Sequence, residues 1–146
     1  MLDAFSRRVV GWSIDSSQTA SLVVNALGMA IENRQAEGVV IHSDHGTRSV
    51  HVVGVHPSRA RLRLVPSMGS IGDCYDNDQM ESFWARMQVE LLNRNRWNTR
   101  LELANAIFEY LEIFHNRQRR HSSLGMLSPI EYERRHAETA ARDQAS

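Results

Sequence analysis

Apolar positions along the 146 residues follow two periods, and the changes between them mark the elements. Residues 1–14 read as the end of one strand, a turn around Phe5-Ser6-Arg7, and a second strand, Arg8-Val9-Val10-Gly11-Trp12-Ser13-Ile14. β-branched and aromatic side chains favour that hairpin. From Ser16 to Ala36 the spacing becomes helical: Leu22-Val23, Ala26-Leu27 and Met29-Ala30 form an apolar stripe, and Thr19 can cap it. Gly38 breaks the helix. The run Val39-Val40-Ile41, closed by His42-Ser43-Asp44-His45-Gly46, has the form of a buried strand leaving a sheet. Strand, crossover helix and strand together predict an α/β layer with a mixed sheet.

The second half is helical by the same criterion. Gly72-Asp73-Cys74-Tyr75-Asp76-Asn77 reads as a polar loop, with Asp76 or Asn77 as N-cap of a helix running to about Asn93. That start puts Asp78 and Glu81 in the first turn, where the helix dipole favours a carboxylate. Met80, Phe83, Trp84, Met87 and Leu91 recur on its buried face. Leu101 to Asn116 predicts another amphipathic helix, with Leu103-Ala104, Ile107-Phe108, Leu111 and Phe114 towards the core. Ser128-Pro129-Ile130-Glu131 is a capping box with proline at the first helical position, opening a short last helix. Residues 137–146 are polar and expected to fray.

Charge adds little at first. Seventeen basic residues balance seventeen acids, so no global field announces nucleic acid. All seventeen are arginine, which suits phosphate contacts, but arginine-only usage points more to a GC-rich coding sequence. The single Cys74 excludes an internal disulfide and suits a reducing cytoplasm, and no apolar run reaches membrane-spanning length, so a cytoplasmic chain is expected. Asp44, at a strand end, and Glu81, on a helix, could clamp a hard divalent cation, which takes oxygen ligands. Two isolated acids are also common as solvated or capping groups. His42 and His45 beside Asp44 suggest either a metal-dependent hydrolase or, since a hard cation does not need them, positioning and phosphate contact.

His42-Ser43-Asp44-His45-Gly46-Thr47, Pro66-Ser67-Met68-Gly69-Ser70, Gly72 to Asn77 and Glu81-Ser82-Phe83 follow one another in an order that resembles a known family. So do His115-Asn116-Arg117, Arg119, His121-Ser122, Leu124-Gly125, Ser128-Pro129 and Tyr132. The pattern is similar to the catalytic core of bacterial insertion-sequence transposases, the DDE enzymes of the retroviral-integrase type, and to the second-frame product of two-reading-frame elements. The resemblance implies a ribonuclease-H-like α/β integrase core at residues 1–92, incomplete because the first strand with its catalytic Asp precedes the hairpin in the family. Residues 93–146 would be a C-terminal helical extension of the same domain. It implies Asp44 and Glu81 as catalytic metal ligands for Mg²⁺ or Mn²⁺ in a two-metal site left incomplete. Partners would be DNA, as insertion-sequence ends and target, and another copy or an intact transposase, with no membrane. Asp3 matches a non-catalytic turn position. His45, Arg94, Arg96, Arg117, Arg119, Arg120 and His121 are the candidate DNA contacts.

Two departures qualify this. Where the family usually carries Lys or Arg two turns beyond its catalytic Glu, this chain has Gln88. Residues 48–64 lack the expected aromatic, Thr-Ser pair and amphipathic helix, and Gly54 and Pro57 interrupt any helix there. Codons for His51 to His56, read one nucleotide later, can spell Thr-Ser-Trp-Ala-Phe, so compensating frame shifts or a divergent basic loop both account for the stretch. Irregular coil is expected there, leaving apolar core uncovered. The functional expectation is a transposase fragment, inactive alone. Its rival is a non-catalytic remnant that binds DNA or an intact transposase.

Overall fold

The computed structural model describes residues 1–17, 19–34, 40–42, 65–67 and 73–145, and these are mostly helical. The elements are α1 (Ala20–Arg34), β1 (Val40–His42), β2 (Val65–Ser67) and α2 (Asp73–Met87), then a π-helical segment Gln88–Leu92. α3 (Arg100–Phe108) runs on into a longer π-helical segment, Glu109–Gln118, followed by a 3₁₀ turn Ser122–Leu124 and α4 (Pro129–Gln144). Two compact units divide them: Met1–Leu2 with Val10–Trp84, and Asp3–Val9 with Ala85–Ser146.

In the first unit, Leu27 of α1 is buried, with Met1, Val23 and Ile31 packed around it. Residues 10 and 11 lie against the same helix. The Val10 carbonyl accepts from the Asn33 amide at 2.9 Å, and a Cβ on Gly11 would stand 2.1 Å from the Ala26 carbonyl oxygen. α1 begins at Ala20, four residues after the expected start. The Asp15 carboxylate takes the Ser16 N–H (2.6 Å) and its hydroxyl, a local bonding pattern that competes with helix. Thr19 contributes its carbonyl, which accepts the Leu22 N–H, while its hydroxyl pairs with that of Ser21. β1 and β2 pair in parallel, Val40 with Val65, Ile41 with Pro66 and His42 with Ser67. A proline in β2 fits a strand edge that needs no donor at that position.

The second unit is built round the turn at residues 3–9. Asp3 organises it: its N–H donates to the Arg8 carbonyl, its carbonyl accepts from Arg7 (2.8 Å each), and its carboxylate takes the Phe5 N–H at 3.0 Å. Arg7 adopts a left-handed φ of 59° to close the turn. Asn116, fully buried, closes the outer side. Its Oδ1 accepts the Val9 N–H and its Nδ2 donates to the Val9 carbonyl, both at 2.9 Å, so one side-chain amide stands in for a neighbouring strand. The His115 Nε2–H donates to the Arg7 carbonyl at 2.9 Å, which fixes the tautomer because a carbonyl only accepts. From α4, Glu133 reaches the Ser6 hydroxyl (2.6 Å) and the Arg8 guanidinium (3.0 Å).

Several sequence-based expectations shift. α2 begins at Asp73, not at Asp76 or Asn77, so Glu81 sits in the third turn and not at the helix mouth. Trp84 is 53% exposed, whereas Met87 and Leu91 are buried as expected. Phe108 and Phe114 are exposed, and the buried set is Tyr110, Leu111, His115 and Asn116. The reason is the change of helix type. In a π-helix the hydrogen bonds span five residues, and the buried positions recur at five, 110 to 115 and 111 to 116. The capping box is present, with Ser128 N–H to Glu131 at 2.9 Å and Glu131 N–H to Ser128 Oγ at 3.4 Å. The helix it opens continues to Gln144 and does not fray from 137. Ala137, Glu138, Ala140, Ala141 and Arg142 are strong helix formers, and Arg134 pairs with Glu138 one turn on (3.9 Å).

Candidate functional site

Glu81 is exposed on a fifteen-residue helix, so its carboxylate is presented from a rigid element. Asp44 and His45 lie outside the described residues, as does the stretch 48–64. Among the described residues, no group of three or more His, Cys, Asp or Glu gathers to hold a metal. Gln88 opens the π-helical segment and donates to Asn93 Oδ1 at 2.8 Å.

The cationic tail resolves into unlike members. Arg119 is committed to Glu90: both guanidinium nitrogens meet the carboxylate, Nη1 at 2.6 Å from Oε2, and its carbon lies 5.3 Å from the centre of the Phe114 ring. Tyr110 donates to the same carboxylate at 2.7 Å; burial, then this bond, raises its pKa. Arg120 donates to the Met126 carbonyl (2.9 Å) and faces Glu131 at 4.0 Å. Arg117 is exposed, as are Arg94 and Arg96 on the connector before α3. His121 is no surface cation. It is buried, set edge-on to His115 with ring centres 5.2 Å apart, and burial followed by the charge of His115 pushes its pKa down to about 4.

Removing one partner of the Glu90–Arg119 pair leaves a half-buried charge uncompensated, so Arg119→Met should cost about 2–3 kcal/mol, measured by urea unfolding. A loss below ~0.5 kcal/mol would show the pair to be surface-like. The two histidines should make stability depend on pH. Burial, ahead of every other cause, also lowers the His115 pKa. Both imidazoles therefore stay neutral in the fold at pH values where the unfolded chain, near the ordinary 6.5, takes up protons. Stability should fall as pH drops from about 6.5 towards 4, by at most about 1.4 kcal/mol per pH unit for each ring. His121→Phe should flatten that slope, and a slope unchanged in this protein would contradict the assignment.

Sequence reasoning missed the work of His115, Asn116 and Ser6. The signal for His115 and Asn116 was available only as membership of a motif, and that for Ser6 only as a turn residue, because Arg7, Val9 and Glu133, which they bind, lie at the other end of the chain from them.

Residues 1–92 match the integrase core domain family, and residues 62–129 match a second integrase core domain description. The chain belongs to the integrase core domain family. It is 37% identical over 140 residues to the insertion element IS600 uncharacterized 31 kDa protein of Shigella sonnei, covering 95% of this chain and 51% of that protein. It is 36% identical over 134 residues to the transposase InsF for insertion sequence IS3A of Escherichia coli K12, covering 91% of this chain and 46% of the transposase. The transposase InsF for insertion sequence IS3 of Escherichia coli O111:H- aligns to the same extent. The chain thus spans about half the length of the curated relatives it matches. No solved structure matches it. Among the described residues no helix is long and apolar enough to cross a membrane.

Proposed function

We propose that this chain is part of the DNA-transposition machinery of an insertion sequence, acting on DNA by metal-dependent phosphoryl transfer. The observation that carries the reading is the match of residues 1–92 to the integrase core, a span that contains both Asp44 and Glu81. The fold proposed for that span is the ribonuclease-H-like α/β core, with 93–146 as its helical extension. Asp44 and Glu81 would hold Mg²⁺ or Mn²⁺. Their chemistry fits: a hard cation selects carboxylate oxygens, and Glu81 stands exposed on α2. When bound, such a cation stabilises charge on the transferring phosphate. The chain's own contribution would be to supply the two carboxylates, Glu81 from α2, while exposed cations hold the DNA backbone.

A second reading, DNA binding without catalysis, alone or alongside an intact transposase, is favoured by the departure of residues 48–64 from the family pattern. Strand transfer on a labelled insertion-sequence end, with Glu81→Gln alongside, separates the two. Salt-sensitive DNA binding is the expected result under both. Metal-dependent joining that disappears in the Glu81→Gln protein carries the enzymatic reading for this chain by itself, against the expectation that it is inactive alone, and binding without joining carries the second. A chain that does not bind DNA overturns both.

A further inference from the structure

We propose that the chain meets the DNA phosphate backbone through the connector that enters α3, with Arg94, Arg96 and Arg100 as the contacting residues. This rests on the DNA-handling reading above and narrows it to one surface. From Leu91 to Leu101 there is no carboxylate; the eleven positions hold three arginines, three asparagines, a threonine and a tryptophan besides leucine. Arg94, Arg96 and Arg100 are all exposed, and among the described residues none of them has a carboxylate within ion-pairing distance.

Elsewhere in the same compact unit several arginines are engaged. Arg8 pairs with Glu133, Arg119 with Glu90, and Arg134 with Glu138. Arg120 is held by the Met126 carbonyl. The connector therefore sets three exposed arginines within seven residues, with no acid among them. A guanidinium is weakly hydrated and presents a fork that matches phosphate oxygens. Arg100 is also the first residue of α3, where the helix N-terminus adds partial positive charge. The nearest acid along the chain, Glu102, is turned to a local task, accepting the Asn98 N–H at 2.9 Å while its own N–H donates to the Thr99 hydroxyl at 3.1 Å. Trp97, in the middle of the connector, is half-buried.

The test is fluorescence anisotropy of the whole chain with a labelled DNA duplex, repeated from ~50 to ~200 mM salt. The triple variant Arg94→Gln, Arg96→Gln, Arg100→Gln should give a plot of log affinity against log salt shallower by about 2–3, at ~0.9 for each phosphate no longer neutralised. Its circular dichroism and melting temperature should match the parent's. Arg134→Gln, Arg135→Gln, Arg142→Gln on α4 removes the same charge and should leave the slope unchanged. An unchanged slope in the connector variant overturns the proposal, and so does an equal fall in both variants. A parent chain that binds no DNA overturns the functional reading together with the proposal.

Discussion

Asn116→Leu should destabilise the chain by about 2–5 kcal/mol, a substantial part of the total stability of a domain this size. The side chain is fully buried and pairs with both backbone groups of Val9, one accepting and one donating. Leucine fills a similar volume and satisfies neither, so a buried N–H and a buried carbonyl both lose their partner at about 1–3 kcal/mol each. Asn116→Asp keeps the bond to the Val9 N–H but brings a carboxylate towards Glu112, whose Oε2 lies 3.3 Å from the present Nδ2. It should therefore not rescue. Urea unfolding midpoints measure both, and a change under ~0.5 kcal/mol for leucine would mean that residues 3–9 are held by something else.

Gly11→Val should cost about 3 kcal/mol or more, or prevent folding. Its Cβ would stand 2.1 Å from the Ala26 carbonyl oxygen and 2.9 Å from the Ala30 Cβ, and the first of these is helix backbone that cannot swing aside. The requirement is one of space, since Gly11 has no left-handed φ. Gly28, in the same helix, gives the opposite sign: nothing lies within 4 Å of its added Cβ. Gly28→Ala should stabilise by about 0.5–1 kcal/mol through helix propensity. Thermal melts of the two variants check the pair, and equal effects would place residues 10–11 away from α1.

These residues show where sequence reading succeeds and stops. The Ser128–Glu131 capping box is legible because its partners are three residues apart and its chemistry is local. The stripe of α1 is legible for the same reason, while its first turn is displaced by Asp15, whose side chain competes for a neighbouring N–H. The faces of the helix from Arg100 onward are misassigned at Phe108 and Phe114. A period of 3.6 fails on a stretch that widens to five-residue hydrogen bonds, and nothing in Glu109–Gln118 announces the widening. Asn116 reads in sequence as one letter of a motif. Its partner is 107 residues away, and only the folded chain brings them together. Likewise His121, which reads as a cation in an arginine-rich run, is buried against His115. Spacing nominates Glu81 but places the helix start about one turn too late, since the helix already begins at Asp73.

A cation held jointly by Asp44 and Glu81 is tested most directly by crystals of the chain grown with Mn²⁺ and measured at its anomalous edge. The expected result is an anomalous peak in contact with both carboxylates, roughly 2.0–2.3 Å from a ligating oxygen, with the two carboxylates within about 4–7 Å of each other. Glu81→Gln should lose the peak while keeping α2 in place. Carboxylates on opposite faces of the sheet, or a Mn²⁺ ion bound elsewhere and unaffected by that substitution, would contradict it.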